Sequence, residues 1–221
     1  MAADIAELLN HENIEKVDAV GHDFGSLFLS QLINYHPTRF HSSTFSAVPY
    51  APPGMRFDLY LSKNEGSKDS VKADSFYSLM YGSEEDTTKR FYALGALPAS
   101  LKENHIAPPP TWQIPLHVSN RSQIFSDSSF RGPRNWYRCR YGQGLGIEKE
   151  KEDKLDPRIP CRALFIEQYH KSVVRMESVS KHMELFAKDF LLQRWVLQAI
   201  GCTLKRRVRL MSFWKSFSRG N

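Results

Sequence analysis

The sequence predicts an α/β protein in which a parallel sheet with flanking helices is interrupted by a helical insert. Two observations lead to this fold class. Residues 16–21 form a short strand pattern that passes through a tight turn into residues 24–35, a mostly apolar segment of helical length. Further strand patterns follow at residues 40–48 and, much later, at residues 161–167. Strands that alternate with helices are typical of parallel sheets, so the long stretch between the last two strands is predicted to be an insert.

Each predicted helix is bounded by local signals. The chain opens with a helix at residues 2–10, where apolar residues share one face and acidic residues stand in the early turns, which the helix dipole favours. The helix at residues 24–35 stops before Pro37, because a proline disfavours the helical conformation in the residue that precedes it. A helix at residues 176–187 is predicted after the third strand.

The helical insert covers residues 55–155 and divides the sheet-forming part of the chain in two. It starts after the Pro-rich run of residues 49–54, is rich in aromatic residues and proline, and shows no periodic strands. Four units are therefore expected. They are the first part of the α/β core at residues 1–54, the insert, the second part of the core at residues 156–187, and a basic tail at residues 188–221.

The charge and the cysteine content exclude several kinds of protein. The formal net charge is +6, and residues 190–221 contain seven basic and no acidic residues, so the excess charge belongs to the tail. Three widely spaced cysteines exclude a disulfide framework and a CxxC zinc or redox site, and no metal or cofactor is implied. No apolar stretch reaches the roughly 18 residues of a membrane span, and the N-terminus is unlike a signal peptide. We therefore expect a soluble, cytoplasmic protein.

Residues 21–25 form the motif Gly21-His22-Asp23-Phe24-Gly25 between a predicted strand and a predicted helix. This is the context of a G-x-Nuc-x-G nucleophile elbow, in which both glycines give space to a sharp turn and the central residue is strained at a helix N-terminus. An Asp23 carboxylate there can attack an electrophilic carbon and form an ester, and the backbone N–H of Phe24 can stabilise an oxyanion. The alternative is an ordinary turn in which Asp23 caps the helix.

Residues 6–54, which contain this motif, resemble the nucleophile region of the epoxide hydrolases of the α/β-hydrolase superfamily, and look most like the fungal branch. In the insert, Arg131-Gly132-Pro133-Arg134-Asn135-Trp136-Tyr137-Arg138 is similar to the cap motif G-P-L-N-W-Y-R of that family. The resemblance runs, with gaps, from about residue 4 to about residue 187. It implies a fragment of the α/β-hydrolase fold whose insert is a helical cap.

The resemblance also implies a two-step mechanism that uses no cofactor and no metal. Asp23 opens the epoxide of a lipophilic substrate, Tyr137 protonates or polarises the departing oxygen, and Trp136 contacts the substrate. Water activated by a His–acid pair then hydrolyses the ester to a diol. The alternative for Tyr137 is a cap tyrosine that packs beside Trp136. A haloalkane dehalogenase also places an Asp in this turn, but the cap motif favours epoxides.

Several parts of the family pattern are missing from the written sequence. The upstream HGxP-type loop and the first strands of the sheet have no counterpart, so the chain is interpreted as a truncated, incomplete copy. The position of the relay acid holds Lys171, and Glu167 and His170 nearby are interpreted as surface residues. No A-G-H-W motif with the relay histidine follows Lys188. The relay His and acid are unassigned, and we expect an epoxide hydrolase-like protein that is inactive or impaired.

The tail supports two interpretations. Codons can be chosen for residues 193–217 so that a shifted reading frame gives approximately the missing C-terminus of the family, which favours a tail translated out of frame. The rival is a segment that binds polyanions, because the basic residues 205–209 (KRRVR) stand among aromatic residues that could stack. The chain would then be a non-catalytic polyanion-binding protein. In both cases a sheet reduced to about three strands exposes an edge, so we expect poor stability.

Overall fold

Strands and helices alternate along the described part of the chain. The computed structural model describes residues 1–54, 73–93, 95–109, 113–128, 154–169, 177–196, 214, 216 and 217. The first core segment contains α1 (Ala2–His11), β1 (Val17–His22), α2 (Phe24–Tyr35) and β2 (Phe40–Ser46). The insert contributes α3 (Ala73–Met80), α4 (Glu84–Asp86), which continues into a π-helical turn (Thr87–Tyr92), α5 (Ala96–Lys102) and α6 (Pro115–Ser128). The second core segment contains β3 (Arg162–Tyr169), α7 (Glu177–Glu184) and β4 (Phe190–Val196).

The four strands are parallel and lie in the order β1-β2-β3-β4. In the register, Val20 is opposite Thr44, Thr44 is opposite Leu164, and Leu164 is opposite Leu191. The carboxyl ends of the strands therefore meet at one edge of the sheet. The parallel sheet with flanking helices confirms the predicted fold class.

The fourth strand corrects the prediction of about three strands. β4 lies in the basic tail of residues 188–221, which the sequence analysis separated from the core. All of its residues pair with β3. Its side chains Phe190 and Leu192 pack against the buried core. This strand was not predicted because residues 190–221 were interpreted together as one basic tail. Residues 190–196 are mostly apolar and strand-forming, and Arg194 is the one charged residue among them.

The main hydrophobic core lies between one face of the sheet and the helices packed on it. It combines side chains from α2, β2, β3 and α7, among them the fully buried Ile33, Phe45, Phe165 and Met183. Burying an apolar side chain of this size contributes about 1.5–3 kcal/mol. The core is therefore built from both segments that flank the insert.

Tyr50, in the segment after β2, connects the two core segments. Its ring is fully buried and packs edge-on against Phe45 at a centroid distance of 5.8 Å. Its hydroxyl lies 2.5 Å from Oδ1 of Asn34 in α2 and 2.9 Å from the carbonyl oxygen of Pro157 before β3. Burial raises the pKa of the Tyr50 phenol well above its ordinary value, so the hydroxyl keeps its proton and donates.

Described residues cover the opposite face of the sheet less completely. Val20 of β1 is 53% exposed on this face. Phe217, from the tail, is buried and packs on Leu164 and Ile166 of β3. Phe217 therefore covers part of the middle of this face, and β1 is an edge strand of the sheet that the structure describes.

The regular elements that the structure describes in the insert, between β2 and β3, are helices. Its helix α3 is tied to the loop after α5, because the Ser75 hydroxyl donates to the carbonyl oxygen of His105 at 2.7 Å. Tyr77 of α3 packs on Phe125 of α6 at a centroid distance of 5.0 Å. None of the helices in the described ranges is long and apolar enough to cross a membrane.

The turn between β1 and α2 depends on a close backbone approach at Gly21. A Cβ at Gly21 would lie 2.5 Å from the carbonyl oxygen of Gly25 and 2.7 Å from Cα of Ser26. The buried Ser26 hydroxyl donates to the carbonyl oxygen of Gly21 at 2.9 Å and accepts from the N–H of Ser46 at 3.2 Å. Beyond its chain neighbours and the backbone of its own helix, no described atom lies within 4 Å of a Cβ built at Gly25. The expected close approach is therefore found at Gly21.

An ion pair joins β3 to β4 near their carboxyl ends. Glu167 and Arg194 are opposite each other in the register, and Nε of Arg194 donates to Oε2 of Glu167 at 2.7 Å. The Glu167 side chain is 5% exposed, whereas the Arg194 side chain is 61% exposed. The interpretation of Glu167 as a surface residue is wrong, because its charged partner allows the carboxylate to be buried.

Gly21→Ala is expected to lower the free energy of unfolding by about 3 kcal/mol, because the added methyl group meets backbone atoms that cannot move aside. Gly25→Ala is the matched control and should be neutral or stabilising by up to about 1 kcal/mol, because helices favour alanine over glycine. Urea unfolding followed by circular dichroism measures both variants. Equal losses at the two glycines would contradict the close approach at Gly21.

Arg194→Gln is expected to lower the free energy of unfolding by about 2 kcal/mol, because it leaves the buried Glu167 carboxylate without its charged donor. Glu167→Gln should cost less, about 1 kcal/mol, because the exposed Arg194 is then solvated. The double variant should be no less stable than Arg194→Gln alone. Chemical unfolding at pH 7 tests this order, and a larger loss for Glu167→Gln than for Arg194→Gln would refute it.

Candidate active site

Asp23 joins β1 to α2 in a backbone conformation that residues other than glycine rarely adopt. Its φ is 54° and its ψ is −121°. Two hydrogen bonds hold this conformation. The Asp23 N–H donates to the carbonyl oxygen of Ser46 at 3.0 Å, and the Ser26 N–H donates to the carbonyl oxygen of Asp23 at 2.9 Å. Such a conformation costs about 1–3 kcal/mol and persists only where the surrounding structure enforces it.

The Asp23 side chain does not cap α2. Asp23 occupies the N-cap position of the helix, but its side chain makes no capping hydrogen bond to the first turn. The half-buried carboxylate instead stands beside the helix N-terminus, where the helix dipole favours negative charge. The presence of an aspartate at position 23 is therefore not explained by a side-chain cap, as it would be in an ordinary turn.

Backbone strain is repeated at the end of the neighbouring strand. Ala47, directly after β2, has a φ of 66°. Its N–H donates to the carbonyl oxygen of Ile166 at 3.2 Å, and the Val48 N–H donates to the carbonyl oxygen of Ser46 at 2.8 Å. Asp23 and Ala47 thus lie at the same carboxyl edge of the sheet, the edge at which open α/β proteins bind ligands. Clusters of strained residues are typical of functional sites.

The ion pair of Glu167 and Arg194 belongs to the same edge, on the two strands beyond β2. It was not expected from the sequence as part of the site. The signal that could have found Glu167 is its position directly after the buried run of residues 163–166. Arg194 holds the Glu167 carboxylate at 2.7 Å, so Glu167 is engaged in a charge pair between β3 and β4.

The insert brings Tyr81 close enough to Asp23 for the two groups to interact electrostatically. Burial raises the pKa of the Tyr81 phenol, the positive charge of Arg121 lowers it, and the negative charge of Asp23 raises it. The Tyr81 ring stacks on that of Tyr77 at a centroid distance of 6.0 Å. Tyr81 was not expected from the sequence, although its spacing of four residues from Tyr77 is the helical signal that could have found it.

The predicted site residues fall into two groups. The five residues of the motif at 21–25 lie together, since His22 ends β1 and Phe24 begins α2. Trp136 and Tyr137 of the predicted cap motif lie outside the described residues, as does Lys171. In the ranges that the structure covers, no group of three or more His, Cys, Asp or Glu side chains is placed to hold a metal ion.

The fold resembles solved structures of epoxide hydrolases at low sequence identity. VrEH2 matches with a TM-score of 0.74 and 16% identity, over 100% of this chain and 75% of that chain. An epoxide hydrolase from an endophytic Streptomyces matches with a TM-score of 0.71 and 20% identity, over 100% of this chain and 74% of its own. Epoxide hydrolase A from Mycobacterium thermoresistibile matches with a TM-score of 0.66 and 17% identity, over 99% of this chain and 74% of its own.

Sequence comparison identifies no relative. Neither a protein-family model nor a curated protein matches this chain. At identities of 16–20%, the structural similarity shows the fold. The described part of the chain has the parallel sheet and flanking helices of the α/β-hydrolase fold, as seen in the epoxide hydrolases that it resembles.

Proposed function

We propose that this chain is an epoxide hydrolase-like protein of the fungal type, with Asp23 as its nucleophile. The observation that carries this proposal is the enforced left-handed backbone of Asp23 at a strand-to-helix turn, with a side chain that does not cap the helix. The similarity of the fold to several epoxide hydrolases supports it. The substrate is a lipophilic epoxide.

The first step forms an ester on Asp23. A carboxylate oxygen of Asp23 attacks a ring carbon of the epoxide, the ring C–O bond breaks, and the former ring oxygen takes up a proton. Tyr137 is the proposed donor of that proton, and Trp136 the proposed substrate contact, because the cap motif of residues 131–138 resembles that of the epoxide hydrolases. The ester retains every atom of the epoxide.

The second step is the hydrolysis of this ester by water, and it is the step that we expect to fail. It needs a base for the water and donors for the developing oxyanion, one of which is the backbone N–H of Phe24 at the start of α2. The relay His and acid are unassigned. Lys171 occupies the position of the acid, and Glu167 is held by Arg194. The ester should therefore form faster than it is hydrolysed.

Incubation of the chain with styrene oxide is expected to raise its intact mass by the mass of one epoxide, because ring opening adds all atoms of the reagent to Asp23. Asp23→Asn should gain no mass. Asp4→Asn is the matched control, since it removes an exposed carboxylate in α1, and it should gain mass as the unaltered chain does. Peptide mapping should place the modification on residue 23.

Three outcomes of this experiment would change the proposal. An equal mass gain in the unaltered chain and in Asp23→Asn would exclude Asp23 as the nucleophile, as would the absence of both adduct and diol. Release of diol without a persistent adduct, lost in Asp23→Asn, would keep the nucleophile and overturn the expected impairment.

Tyr137→Phe should slow the formation of the adduct by roughly a hundredfold, because the departing oxygen loses its proton donor. Tyr141→Phe is the matched control in the same stretch of the insert and should leave the rate unchanged. The initial rate of mass gain with styrene oxide measures both. A rate for Tyr137→Phe equal to that of Tyr141→Phe would assign Tyr137 to packing beside Trp136 instead.

A further inference from the structure

The insert forms a partly open cavity of about 210 Å³ between α3, α6 and the loop that follows α5. We call it the insert cavity. Its lining combines apolar side chains with several polar and charged ones, and the residues that matter here are Asp74, Tyr81, Ile106, Val118, Arg121 and Ser122. Concave apolar sites with a few convergent polar groups are the usual form of a small-molecule site. The motif at 21–25 does not line this cavity, which is formed by the insert itself.

Arg121 is the cationic residue in the wall of the insert cavity, and its charge has no acidic partner in the described ranges. Its guanidinium lies over the ring of Tyr77, 4.8 Å from the centroid, and over that of Tyr81 at 5.8 Å. Its Nε is buried and makes no hydrogen bond to any described group. A buried guanidinium donor is normally satisfied by an acceptor, so this one points to a ligand that supplies it.

We propose that the insert cavity binds the carboxylate of an amphipathic organic acid, with the carboxylate on Arg121 and the alkyl chain along Ile106 and Val118. A guanidinium matches a carboxylate with two parallel hydrogen bonds, and the stacking on Tyr77 and Tyr81 holds the fork in place. Ile106 is 62% exposed, so an alkyl chain packed on it and on Val118 removes apolar surface of both the ligand and the protein from water.

The cavity favours a carboxylate over a phosphate. Asp74 lines the same wall, and its carboxylate accepts a hydrogen bond from the hydroxyl of Ser122. The negative charge of Asp74 repels any anion in this cavity, and it opposes a ligand with two negative charges more strongly than one whose single charge pairs with Arg121. The ligand class is therefore a monoanionic acid with an alkyl body.

Isothermal titration of the full chain with octanoate and with 1-octanol tests this proposal. Octanoate should bind roughly tenfold to hundredfold more tightly than 1-octanol, the range expected for a hydrogen-bonded charge pair. Arg121→Gln should remove this preference. Lys102→Gln, which makes the same change of charge on the exposed side of α5, is the matched control and should keep the preference. Octyl phosphate should bind more weakly than octanoate.

Equal affinities for octanoate and 1-octanol in the unaltered chain would overturn the proposal, and this comparison decides it even if Arg121→Gln does not fold. Tighter binding of octyl phosphate than of octanoate would overturn the choice of a carboxylate. Asp23→Asn should bind octanoate as the unaltered chain does. Octanoate binding that depends on Arg121, in a chain that forms no adduct with styrene oxide, would support the insert cavity while refuting the proposed function.

Discussion

The candidate active site depends on the close approach of Gly21 to the first turn of α2. Only a hydrogen atom on Cα lets the helix start directly against the ends of two strands, where the buried Ser26 hydroxyl bridges the backbone of β1 and β2. A chain that must turn within so little space passes through a left-handed conformation at Asp23. The position of the Asp23 carboxylate therefore follows from packing, not from a conformational preference of aspartate.

Features encoded by neighbouring residues could be predicted from the sequence, and features that depend on distant partners could not. The unit of β1, turn and α2 is local, because glycine spacing, apolar periodicity and Pro37 all lie within one short stretch. β4 is stabilised by pairing with β3, so the charge of the surrounding tail conceals it. The burial of Glu167 is explained by Arg194, which is 27 residues away and becomes its neighbour only through the register of two parallel strands.

The insert shows the same limit more strongly. The sequence motif at residues 131–138 indicates roles for Trp136 and Tyr137 that stay predictions. Tyr81 and Arg121 are 40 residues apart in the sequence. Because α6 is rich in polar residues, its sequence indicates a solvated position for Arg121. The packing of α3 on α6 brings the guanidinium over the two tyrosine rings and into the wall of the insert cavity. No local sequence pattern predicts this contact between Arg121 and the two tyrosines.

The backbone conformation of residue 23 also makes folding stability and reactivity favour different residues at this position. At a φ of 54° and a ψ of −121°, glycine is accommodated more easily than aspartate, and the carboxylate of Asp23 adds no capping hydrogen bond in return. Selection for heat resistance alone would therefore tend to replace this aspartate, whereas selection for reaction with an electrophile would keep it. The identity of the residue at position 23 in any set of evolved variants records which of the two pressures they experienced.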